Sequence, residues 1–343
     1  MAIRRATTQR ITIDDVAKEA GVSTATVSRV INGKGTVSDR TTKKVNQAIT
    51  DLKFVAHGSA RTLAGTKTHA IGLFFPGITT PFFSDLIRGI STPIYERGYS
   101  LLMYGDLKPV SMTSGRPLPL GEHNTDGIIV FTDFLDDYSI RHFYERQLPV
   151  VMLHRSPPTD LAIPKIKFAN EEGSYTAVRH LLDNGYRKIA YLRGPDGNED
   201  SEQRERGYRR ALAEQGIAID ETLIAKANFA APAAERIITQ MLDKKIKFDA
   251  VFAGDDNSAW GTINILQKRG INIPEEVAVV GFNDDLLSRY STPALTTVRA
   301  PIYDSGFRAA EKLFSLIDGN DVPRETLLPT ELVIRESSVG GAS

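Results

Sequence analysis

Cysteine is absent from this sequence of 343 residues, and no apolar run reaches the ~18 residues that a membrane-spanning helix needs. The absence of cysteine excludes disulfide bonds, thiolate metal sites and cysteine nucleophiles. The amino terminus is basic but leads into no hydrophobic signal region, so we expect a cytoplasmic protein without a membrane segment. The hydrophobic share of 41% is ordinary for a globular protein, and the length predicts two or three domains.

The motifs of common catalytic and nucleotide-binding sites are also missing. The sequence contains no G-x-x-x-x-G-K phosphate loop, no G-x-G-x-x-G, no G-x-S-x-G elbow and no H-E-x-x-H zinc motif. The histidines show no metal-ligand spacing. Adjacent acids such as Asp284-Asp285 are common on loops and do not by themselves indicate catalysis. We therefore expect a binding protein rather than an enzyme, with no cofactor and no metal.

The charge is distributed unevenly, although the formal net charge is zero. Residues 1–67 contain twelve Lys or Arg against five Asp or Glu, whereas residues 68–343 contain thirty against thirty-seven. A basic segment of this size on an acidic body suggests a module that binds a polyanion. A solvated lysine-rich surface would explain the charge equally well, so the local pattern has to decide.

The basic segment has the pattern of three short helices. Thr12 and the acid three residues later form a capping-box variant, and apolar residues then recur at helical spacing up to Gly21, a suitable C-terminal cap. Ser23 is a good N-cap for a second helix that the turn formers at 32–33 end, and Ser38 caps a third. Two helices joined by so short a glycine-containing turn must cross sharply, which is the helix-turn-helix geometry.

A helix-turn-helix places the start of its second helix against base edges in the major groove. By this geometry the base-reading candidates are Thr24, Ala25 and Ser28, and Arg29 is able to reach a guanine or a phosphate. The remaining candidates are short polar residues at helix ends, suited to phosphate oxygens: Thr12, Ser23, Thr26, Asn32, Ser38 and Thr41. The alternative is a plain three-helix bundle in which these Ser and Thr side chains only cap helices.

The amino-acid identities in this segment are more specific than the spacing of its apolar residues. The stretches I-D-D-V-A (13–17), T-V-S-R-V-I-N (26–32) and the third helix at 37–54 closely resemble the headpiece of the lac repressor (LacI/GalR) family. Further along, A-R-T-L-A-G (60–65) resembles the hinge helix of that family. The sequence is therefore identified as a member of this family of transcriptional regulators, and the resemblance covers nearly the whole chain.

The resemblance implies a DNA-binding headpiece at 1–57 and a hinge helix with its linker at 58–67. Such a hinge is too short to form a helix alone, because isolated helices below ~12 residues are marginal. In the family the two hinges of a dimer become ordered together on DNA. Leu63 stands at the position of the wedge that opens a base step in the minor groove. The accompanying hinge candidates for DNA contact are His57, Ala60 and Arg61.

The entry to this hinge departs from the family pattern. The family usually has Tyr-x-Pro-Asn there, whereas this chain has F-V-A-H at 54–57. Without the proline the entry is less rigid, and His57 replaces an amide that would contact the DNA backbone. For Leu63 the alternative is a linker leucine that packs on its own body.

From Ala70 onward, short apolar runs alternate with helical patterns. Continuous apolar strands that alternate with helices indicate parallel sheets covered on both faces, and the number of units predicts two doubly wound α/β lobes. The predicted strands lie at 71–75, 101–104, 127–131, 150–153, 188–192, 250–253 and 277–282. The predicted helices lie at 81–97, 171–184, 201–215, 231–243, 256–269 and 303–317. Ligands of such sheets bind in the crevice beyond the carboxyl ends of the strands.

This body resembles the sugar-sensing core of the same family, which is of the periplasmic-binding-protein type. The matching stretches include T-P-F-F (80–83), G-Y-R-K-I (185–189), V-G-F-N-D (280–284) and P-A-L-T-T-V (293–298). The resemblance implies a core at 68–343 in which the chain crosses between the lobes three times. The implied lobes are 68–168 with 299–329 for the N-terminal lobe, and 169–298 with 330–340 for the C-terminal lobe.

The resemblance also carries over candidate ligand residues, position by position. Arg204 matches an arginine that forks onto ligand hydroxyls, and Asp256 with Asn283 matches a polar pair on the C-terminal lobe. Phe229 matches an aromatic residue on which a sugar or base ring stacks. Phe82 and Phe83 would wall the pocket from the other lobe. His154 stands where relatives often have aspartate, so His154 or Arg155 would alter the specificity. The alternatives are a surface ion pair for Arg204, core packing for the aromatic residues, and helix caps for the polar pair.

Two segments of the body depart from the family pattern. Residues 107–120 are broken by Pro and Gly where the family usually has a helix, so we expect a loop or a truncated helix at 107–123, on the outer face of its lobe. Pro93 predicts a kink or an early end in the helix that begins near Pro81. No leucine heptad follows Arg335, so the pattern does not support a tetramer.

Together these patterns predict a homodimeric, sequence-specific DNA-binding repressor whose two headpieces read a pseudo-palindromic operator. A small-molecule effector, by resemblance a sugar, would bind between the lobes and control operator affinity. Three alternatives stay open: a ligand that is required for DNA binding, a nucleoside or purine effector, and a solute-binding protein or sugar-processing enzyme.

Overall fold

The computed structural model describes residues 11–31, 37–52, 54, 67–76, 80–106, 109–114 and 117–339. The chain divides into two compact units, 1–68 and 69–343. Within the described ranges, no helix combines the length and the apolar character that a membrane crossing requires.

The first unit consists, in its described part, of three helices whose ends agree with the predicted caps. They are α1 (Ile13–Ala20), α2 (Thr24–Ile31) and α3 (Asp39–Asp51). The capping box is present, because the Thr12 hydroxyl oxygen accepts from the Asp15 N–H while the Asp15 carboxylate accepts from the Thr12 N–H at 2.7 Å. Gly21 ends α1 in the left-handed conformation, with φ of +66°.

A small apolar core holds these three helices together. Val16, Val27 and Val45, one from each helix, are fully buried. Burial of a side chain of this size contributes about 1.5–3 kcal/mol. The core therefore fixes α2 by its inner face and leaves the opposite face to solvent.

The second unit contains, within its described residues, two six-stranded sheets. The strands of the first sheet are β1 (Ala70–Pro76), β2 (Ser100–Asp106), β3 (Gly127–Phe131), β4 (Val150–Leu153), β5 (Lys165–Phe168) and β11 (Glu325–Leu328). The order is β11-β5-β4-β3-β1-β2, and every pairing is parallel. Neighbouring residues of one strand pack into different clusters on the two faces, as Leu73 and Phe74 do. We call the part of the unit built on this sheet the N-terminal lobe.

The second sheet forms the C-terminal lobe. Its strands are β6 (Ile189–Arg193), β7 (Ile224–Lys226), β8 (Ala250–Ala253), β9 (Ala278–Asn283), β10 (Thr296–Arg299) and β12 (Glu331–Val333). The order is β12-β10-β9-β8-β6-β7. The edge strand β12 runs antiparallel to β10, whereas the other pairings of this sheet are parallel, as predicted. This strand arrives directly from the other lobe, without the crossover helix that a parallel strand needs.

Helices cover both faces of the two sheets, which confirms the predicted pair of doubly wound lobes. They are α4 (Pro81–Glu96), α5 (Asp137–Glu145), α6 (Asn170–Asp183), α7 (Glu199–Glu214), α8 (Ala231–Asp243), α9 (Asp256–Lys268), α10 (Leu286–Tyr290) and α11 (Ile302–Ile317). The early end predicted at Pro93 is wrong, since α4 continues to Glu96. Pro93 lies in the last turn, where its missing N–H removes a single intrahelical bond, and its ring is buried.

The chain passes between the two sheets at three places. It leaves the first sheet after β5, returns to it after β10, and crosses again at residues 329–330 between β11 and β12. Helix α11, which follows the second passage, packs against β3, β4 and β5 of the N-terminal lobe. The lobes therefore share three connecting segments beside the crevice at the carboxyl ends of their strands.

The segment predicted as a loop or truncated helix contains no α-helix among its described residues. Val110 forms an isolated bridge with Leu135, and a 3₁₀ turn covers Met112–Ser114. Leu118 and Leu120 are buried against the outer face of the first sheet. The loop is confirmed for the described residues 109–114 and 117–123, and the outer-face placement holds for Leu118 and Leu120. Pro109 departs from that placement because it lines the cavity described below. Residues 107–108 and 115–116 lie outside the described ranges.

Candidate functional site

The outward face of α2 carries the predicted base-reading residues. Thr24, Ala25 and Arg29 are exposed, whereas Val27 is fully buried on the opposite face. Ser28 is partly buried. A short helix that packs by one face and exposes polar and small side chains on the other can lie in a major groove.

Polar side-chain pairs mark the N-terminal ends of the three described helices. The pairs are Thr12 with Asp15, Ser23 with Thr26, and Ser38 with Thr41, at oxygen–oxygen distances of 2.8, 2.9 and 2.9 Å. The capping role that the sequence left open is therefore present. It does not prevent phosphate contact, because helix N-termini attract anions through their N–H groups and these pairs are exposed.

Five other predicted DNA contacts cannot be placed, because they lie outside the described residues. These are Asn32, His57, Ala60, Arg61 and Leu63.

A cavity of about 400 Å³ lies between the two lobes, at the carboxyl ends of the strands of both sheets. The volume falls within the ~300–1,000 Å³ that is typical of small-molecule sites. The N-terminal lobe contributes Pro76, Thr80, Phe82, Phe83, Pro109, Phe131, Thr132, Asp133 and Phe134. The C-terminal lobe contributes Pro195, Asp196, Asn198, Asp200, Arg204, Asn228, Phe229, Asp255 and Asn283. Among the described residues, no group of three or more His, Asp or Glu side chains is arranged to hold a metal ion.

Several cavity residues adopt backbone conformations that are rare outside glycine. Thr132, Asn228, Phe229 and Asn283 have φ values of +47°, +55°, +59° and +123°. Each lies at or just beyond the carboxyl end of a strand. Such conformations cost about 1–3 kcal/mol each and persist only where the surroundings fix them. Their clustering around the cavity indicates a site with a defined shape.

Arg204 is buried at the centre of this site. Its Nε donates to Asn170 Oδ1 at 2.8 Å, and its Nη1 donates to the Gly254 carbonyl. The guanidinium also lies 3.8 Å from the centroid of the Phe282 ring. Burial lowers the pKa of Arg204, but an arginine in a protein keeps its charge. Arg204 is therefore a preorganised cation in the cavity wall and not a surface ion pair.

Asp200 is a buried cavity carboxylate on the same helix as Arg204, and the sequence reasoning missed it. It accepts from Asn170 Nδ2 at 2.8 Å, and its Oδ2 lies 3.4 Å from His154 Nδ1 in the N-terminal lobe. Burial raises the pKa of Asp200 to about 6, although Arg204 opposes the shift. Burial and Arg204 lower the pKa of His154 to about 3, so the imidazole is neutral.

His154 and Arg155, which were predicted as ligand residues, do not line the cavity. The His154 ring is fully buried, with its centroid 4.3 Å from that of Phe168. The Arg155 guanidinium donates to a carbonyl at 2.7 Å, pairs with Asp137 and lies 3.2 Å from Asp133. Arg155 therefore acts as a countercharge for Asp133, which does line the cavity.

The acid that lines the cavity after β8 is Asp255 and not the predicted Asp256. Asp255 is the N-cap of α9, and its Oδ1 accepts from the Ser258 N–H at 3.1 Å. The Asp256 carboxylate accepts from the Asp285 N–H at 2.7 Å and from the Thr297 hydroxyl. Burial raises the pKa of both Asp255 and Asp256. The helix-cap alternative thus applies to Asp255. The Asp256 carboxylate already accepts hydrogen bonds from other protein groups.

Aromatic rings border the cavity from both lobes. Phe82 and Phe83 pack together with their ring centroids 5.3 Å apart, and Phe83 is buried. Phe229 lies across the crevice in the C-terminal lobe. A Cβ at Gly194 would lie 2.2 Å from the Phe229 ring, so only glycine at that position admits the ring. Apolar faces on opposite walls are suited to a ring-shaped ligand.

Asn283 adds an unsatisfied acceptor to the lining. It is buried at the end of β9, and its Oδ1 has no hydrogen-bond partner among the described residues. A buried polar atom without a partner costs about 1–3 kcal/mol and calls for an explanation. A ligand donor in the cavity would supply the missing bond.

Most lining residues that sequence reasoning missed are polar and follow the carboxyl end of a strand. They are Thr132, Asp133, Asp196, Asn198, Asp200, Asn228 and Asp255. Their position just after β3, β6, β7 or β8 was the available signal, since these strand ends meet at the crevice.

Replacement of Asp200 by Asn is expected to remove a pH dependence of stability. The pKa of Asp200 is about 6 in the folded chain, whereas an unfolded aspartate titrates near its ordinary value of 3.8. The folded chain therefore binds more protons between these values, and the free energy of unfolding falls as the pH rises through this interval. The loss is at most about 3 kcal/mol, because one pKa unit corresponds to about 1.4 kcal/mol.

Urea unfolding at about pH 4.5 and about pH 7 measures this difference. The native chain should lose stability relative to Asp200→Asn at the higher pH. Parallel pH profiles for the two proteins would contradict the assignment.

Two family models match this chain. Residues 12–56 match the bacterial regulatory proteins of the lacI family, and residues 178–338 match a periplasmic binding protein-like domain. The probable HTH-type transcriptional repressor ExuR of Bacillus subtilis (strain 168) is 34% identical over 335 residues, which cover 95% of this chain and 98% of the relative. The HTH-type transcriptional repressor PurR of Vibrio atlanticus (strain LGP32) is 34% identical over 330 residues, or 96% and 98% of the two chains.

Solved structures agree with these sequence matches. A transcriptional regulator CelR–cellobiose complex superimposes with a TM-score of 0.71 at 29% identity, over 96% of this chain and 100% of the other. The lac repressor dimer bound to operator and the anti-inducer ONPF gives a TM-score of 0.76 at 25% identity, over 97% and 100%. Both likenesses extend over the helix-turn-helix segment and the two-lobed unit.

Proposed function

This chain belongs to the lacI family of bacterial regulatory proteins, a family of DNA-binding transcriptional regulators, and we propose that it acts as a homodimeric repressor. Each headpiece would read one half-site of a pseudo-palindromic operator, and a small molecule between the lobes would control operator affinity. One observation carries the proposal: the same chain combines a helix-turn-helix with an exposed reading face and a two-lobed unit with a cavity of about 400 Å³. A dimer bound to operator is the assembly of the lac repressor structure that this chain resembles.

We propose a regulatory role without catalysis, in the cytoplasm. An operator-binding protein must share a compartment with its DNA. The cavity supports binding, because its buried polar groups are engaged with one another or placed as hydrogen-bond partners for a ligand.

The proposed effector is a sugar. Aromatic faces from both lobes, the Arg204 guanidinium, and the acceptors of Asp255 and Asn283 suit a ring that carries several hydroxyl groups. The CelR structure holds cellobiose. A purine or nucleoside is the second candidate, because Phe229 would also stack on a base.

Headpiece, hinge and core boundaries of 1–57, 58–67 and 68–343 are part of this proposal. The proposed N-terminal lobe is 68–168 with 299–329. The passages of the chain near 169, 300 and 329 support that division of the core.

Helix α7 carries both residues that line the cavity and a residue that contacts the other lobe. Asp200 and Arg204 line the cavity, while Glu199, the first residue of the same helix, accepts from the Ser156 N–H at 2.6 Å and pairs with Lys167. Ser156 and Lys167 belong to the other lobe. A ligand that displaces α7 would therefore change a contact between the lobes. If this change alters operator affinity by some factor, linkage requires operator DNA to alter effector affinity by the same factor.

Selection of duplexes from a random pool with the full chain tests the proposal. We expect enrichment of an inverted repeat, and we expect at least one sugar or nucleoside to change the affinity for it. A thermal-shift screen would find such a compound, because a ligand at about 100 times its Kd adds about 2.7 kcal/mol of stability. If no inverted repeat is preferred over random competitor, with or without every compound tried, the proposal is wrong.

Two arginine variants sharpen this experiment. Arg29→Ala should cost about 1–3 kcal/mol on the selected sequence and relax the preference at one position of each half-site. The matched control is Arg40→Ala, an exposed arginine at the start of α3, which should reduce affinity similarly for all sequences. A uniform loss for Arg29→Ala would assign it to a phosphate instead of a base.

A further inference from the structure

The polar groups of the cavity are unbalanced in charge. Four carboxylates line it, those of Asp133, Asp196, Asp200 and Asp255. Among the described lining residues, Arg204 is the only cation. The wall is therefore rich in hydrogen-bond acceptors and poor in charged donors.

The guanidinium of Arg204 already donates two hydrogen bonds to the protein. Its Nε donates to Asn170 at 2.8 Å, and its Nη1 donates to the Gly254 carbonyl. Bidentate recognition of a carboxylate or phosphate uses two parallel N–H groups of one guanidinium. With Nε engaged, Arg204 cannot use the edge of the guanidinium that includes Nε to bind an anion in this way, and one Nη1 hydrogen is also taken.

Two of the four carboxylates have cations of their own behind the wall. Asp196 lies 2.6 Å from Arg193 and 2.5 Å from Lys226, and Asp133 lies 3.2 Å from Arg155. These cations do not line the cavity. They neutralise their partners without becoming available to a ligand.

The other two carboxylates, Asp200 and Asp255, are buried and take hydrogen bonds from neutral groups. Asp200 accepts from the Asn170 amide at 2.8 Å, and Asp255 accepts from the Ser258 N–H at 3.1 Å. Burial raises the pKa of both acids, which shows that their surroundings disfavour added negative charge.

The buried Oδ1 of Asn283 also favours a ligand that donates hydrogen bonds, since it is an acceptor without a partner among the described residues. A hydroxyl-rich ligand brings protons to such acceptors. A carboxylate or phosphate brings further acceptors and a like charge, which a low-dielectric site penalises.

We propose that the effector is an uncharged polyhydroxy ring, and that a wall of four carboxylates with the partly engaged Arg204 as its one described cation excludes the corresponding uronic acids and sugar phosphates. This inference rests on the proposed function and narrows its effector class. Hydroxyl groups of the ring would donate to Asp200, Asp255 and Asn283, while the rings of Phe82 and Phe229 cover its apolar faces.

Isothermal titration calorimetry of the full chain with matched sugars tests the inference. The probes are glucose with glucuronate and glucose 6-phosphate, galactose with galacturonate, ribose with ribose 5-phosphate, and cellobiose. We expect the best binder to be neutral and to bind at least about 10-fold more tightly than its anionic counterpart.

A variant with one carboxylate fewer tests whether negative charge in the wall causes the discrimination against anionic sugars. Asp255→Asn keeps an N-cap residue at α9 and removes one negative charge, so it should narrow the ratio of neutral to anionic affinity by about 5- to 10-fold. Asp243→Asn is the matched control, because it removes an exposed charge of the same lobe that does not line the cavity, and it should leave the ratio unchanged.

The possible failures are distinguishable. A uronate or sugar phosphate as the best binder would overturn the inference and leave the proposed function intact. An unchanged ratio in a folded Asp255→Asn protein would also overturn it, because the carboxylate would then not be the source of discrimination. Binding of no sugar in either set would overturn the sugar effector of the proposed function, and this inference with it.

Discussion

Replacement of Arg204 by alanine is expected to weaken effector binding by about 100-fold or more, a loss of about 3 kcal/mol. The substitution removes the single cation of the described cavity wall and leaves Asn170, the Gly254 carbonyl and Asp200 without their charged neighbour. Hydrogen bonds to charged groups contribute about 1.5–3 kcal/mol, and buried groups left without partners add to the cost. Operator affinity of the effector-free protein should change much less, because no described DNA-contact candidate belongs to this unit.

Calorimetric titration with the effector and a DNA-binding assay without it measure the two effects separately. Arg206→Ala is the matched control, since Arg206 lies on the same helix, is exposed and pairs with Glu171. Arg204→Lys keeps the charge but cannot hold the planar fork, so it should also lose most of the affinity. A folded Arg204→Ala protein with unchanged effector affinity would remove Arg204 from the site.

Strands that read as continuous apolar runs could be predicted from the sequence, whereas short strands of mixed polarity could not. Strands β3 and β9 are buried on both faces and read as continuous apolar runs. Strands β7 and β11 hold only three or four residues at or near a sheet edge, and polar residues interrupt them. Such short mixed segments give no periodic signal, and tertiary pairing alone decides their conformation.

The difference between Asp255 and Asp256 shows why resemblance indicated the end of β8 but not which of its two acids lines the cavity. Both acids follow β8, and each could face the crevice. Asp255 is the N-cap with extended backbone, while Asp256 is already the first residue of α9. A shift of one position along the chain therefore separates the carboxylate that lines the cavity, Asp255, from the one that accepts a hydrogen bond from Thr297, Asp256. The boundary of a helix to a single residue depends on packing that a sequence does not display.

The segment that departs from the family pattern also reaches the site. Pro109 and Phe134 both line the cavity, and their chain neighbours Val110 and Leu135 form the isolated bridge. Resemblance could not carry this residue over, because the family usually has a helix there. A contact between Pro109 and the effector could therefore not be predicted from the family pattern.

A fragment of residues 1–66 is expected to bind operator about 100- to 10,000-fold more weakly than the full chain at the same salt concentration. The described helices of this fragment have a core of their own, so the comparison does not depend on loss of the reading helix. In the proposed dimer, binding of one headpiece places the second at a high effective concentration above its half-site. The hinge proposed at 58–67 adds to this difference, because a segment so short would form a helix only when a dimer brings two copies together.

A duplex with a single half-site provides the control for this comparison. There the second headpiece of the dimer has no specific site, so the fragment and the full chain should differ by much less. Fluorescence anisotropy with both duplexes, together with circular dichroism of the fragment, separates loss of bivalency from loss of folding. Equal affinities on the complete operator would mean that each headpiece acts independently. The core could then not control DNA binding through the distance between two headpieces, and ligand in the cavity would have to act by another route.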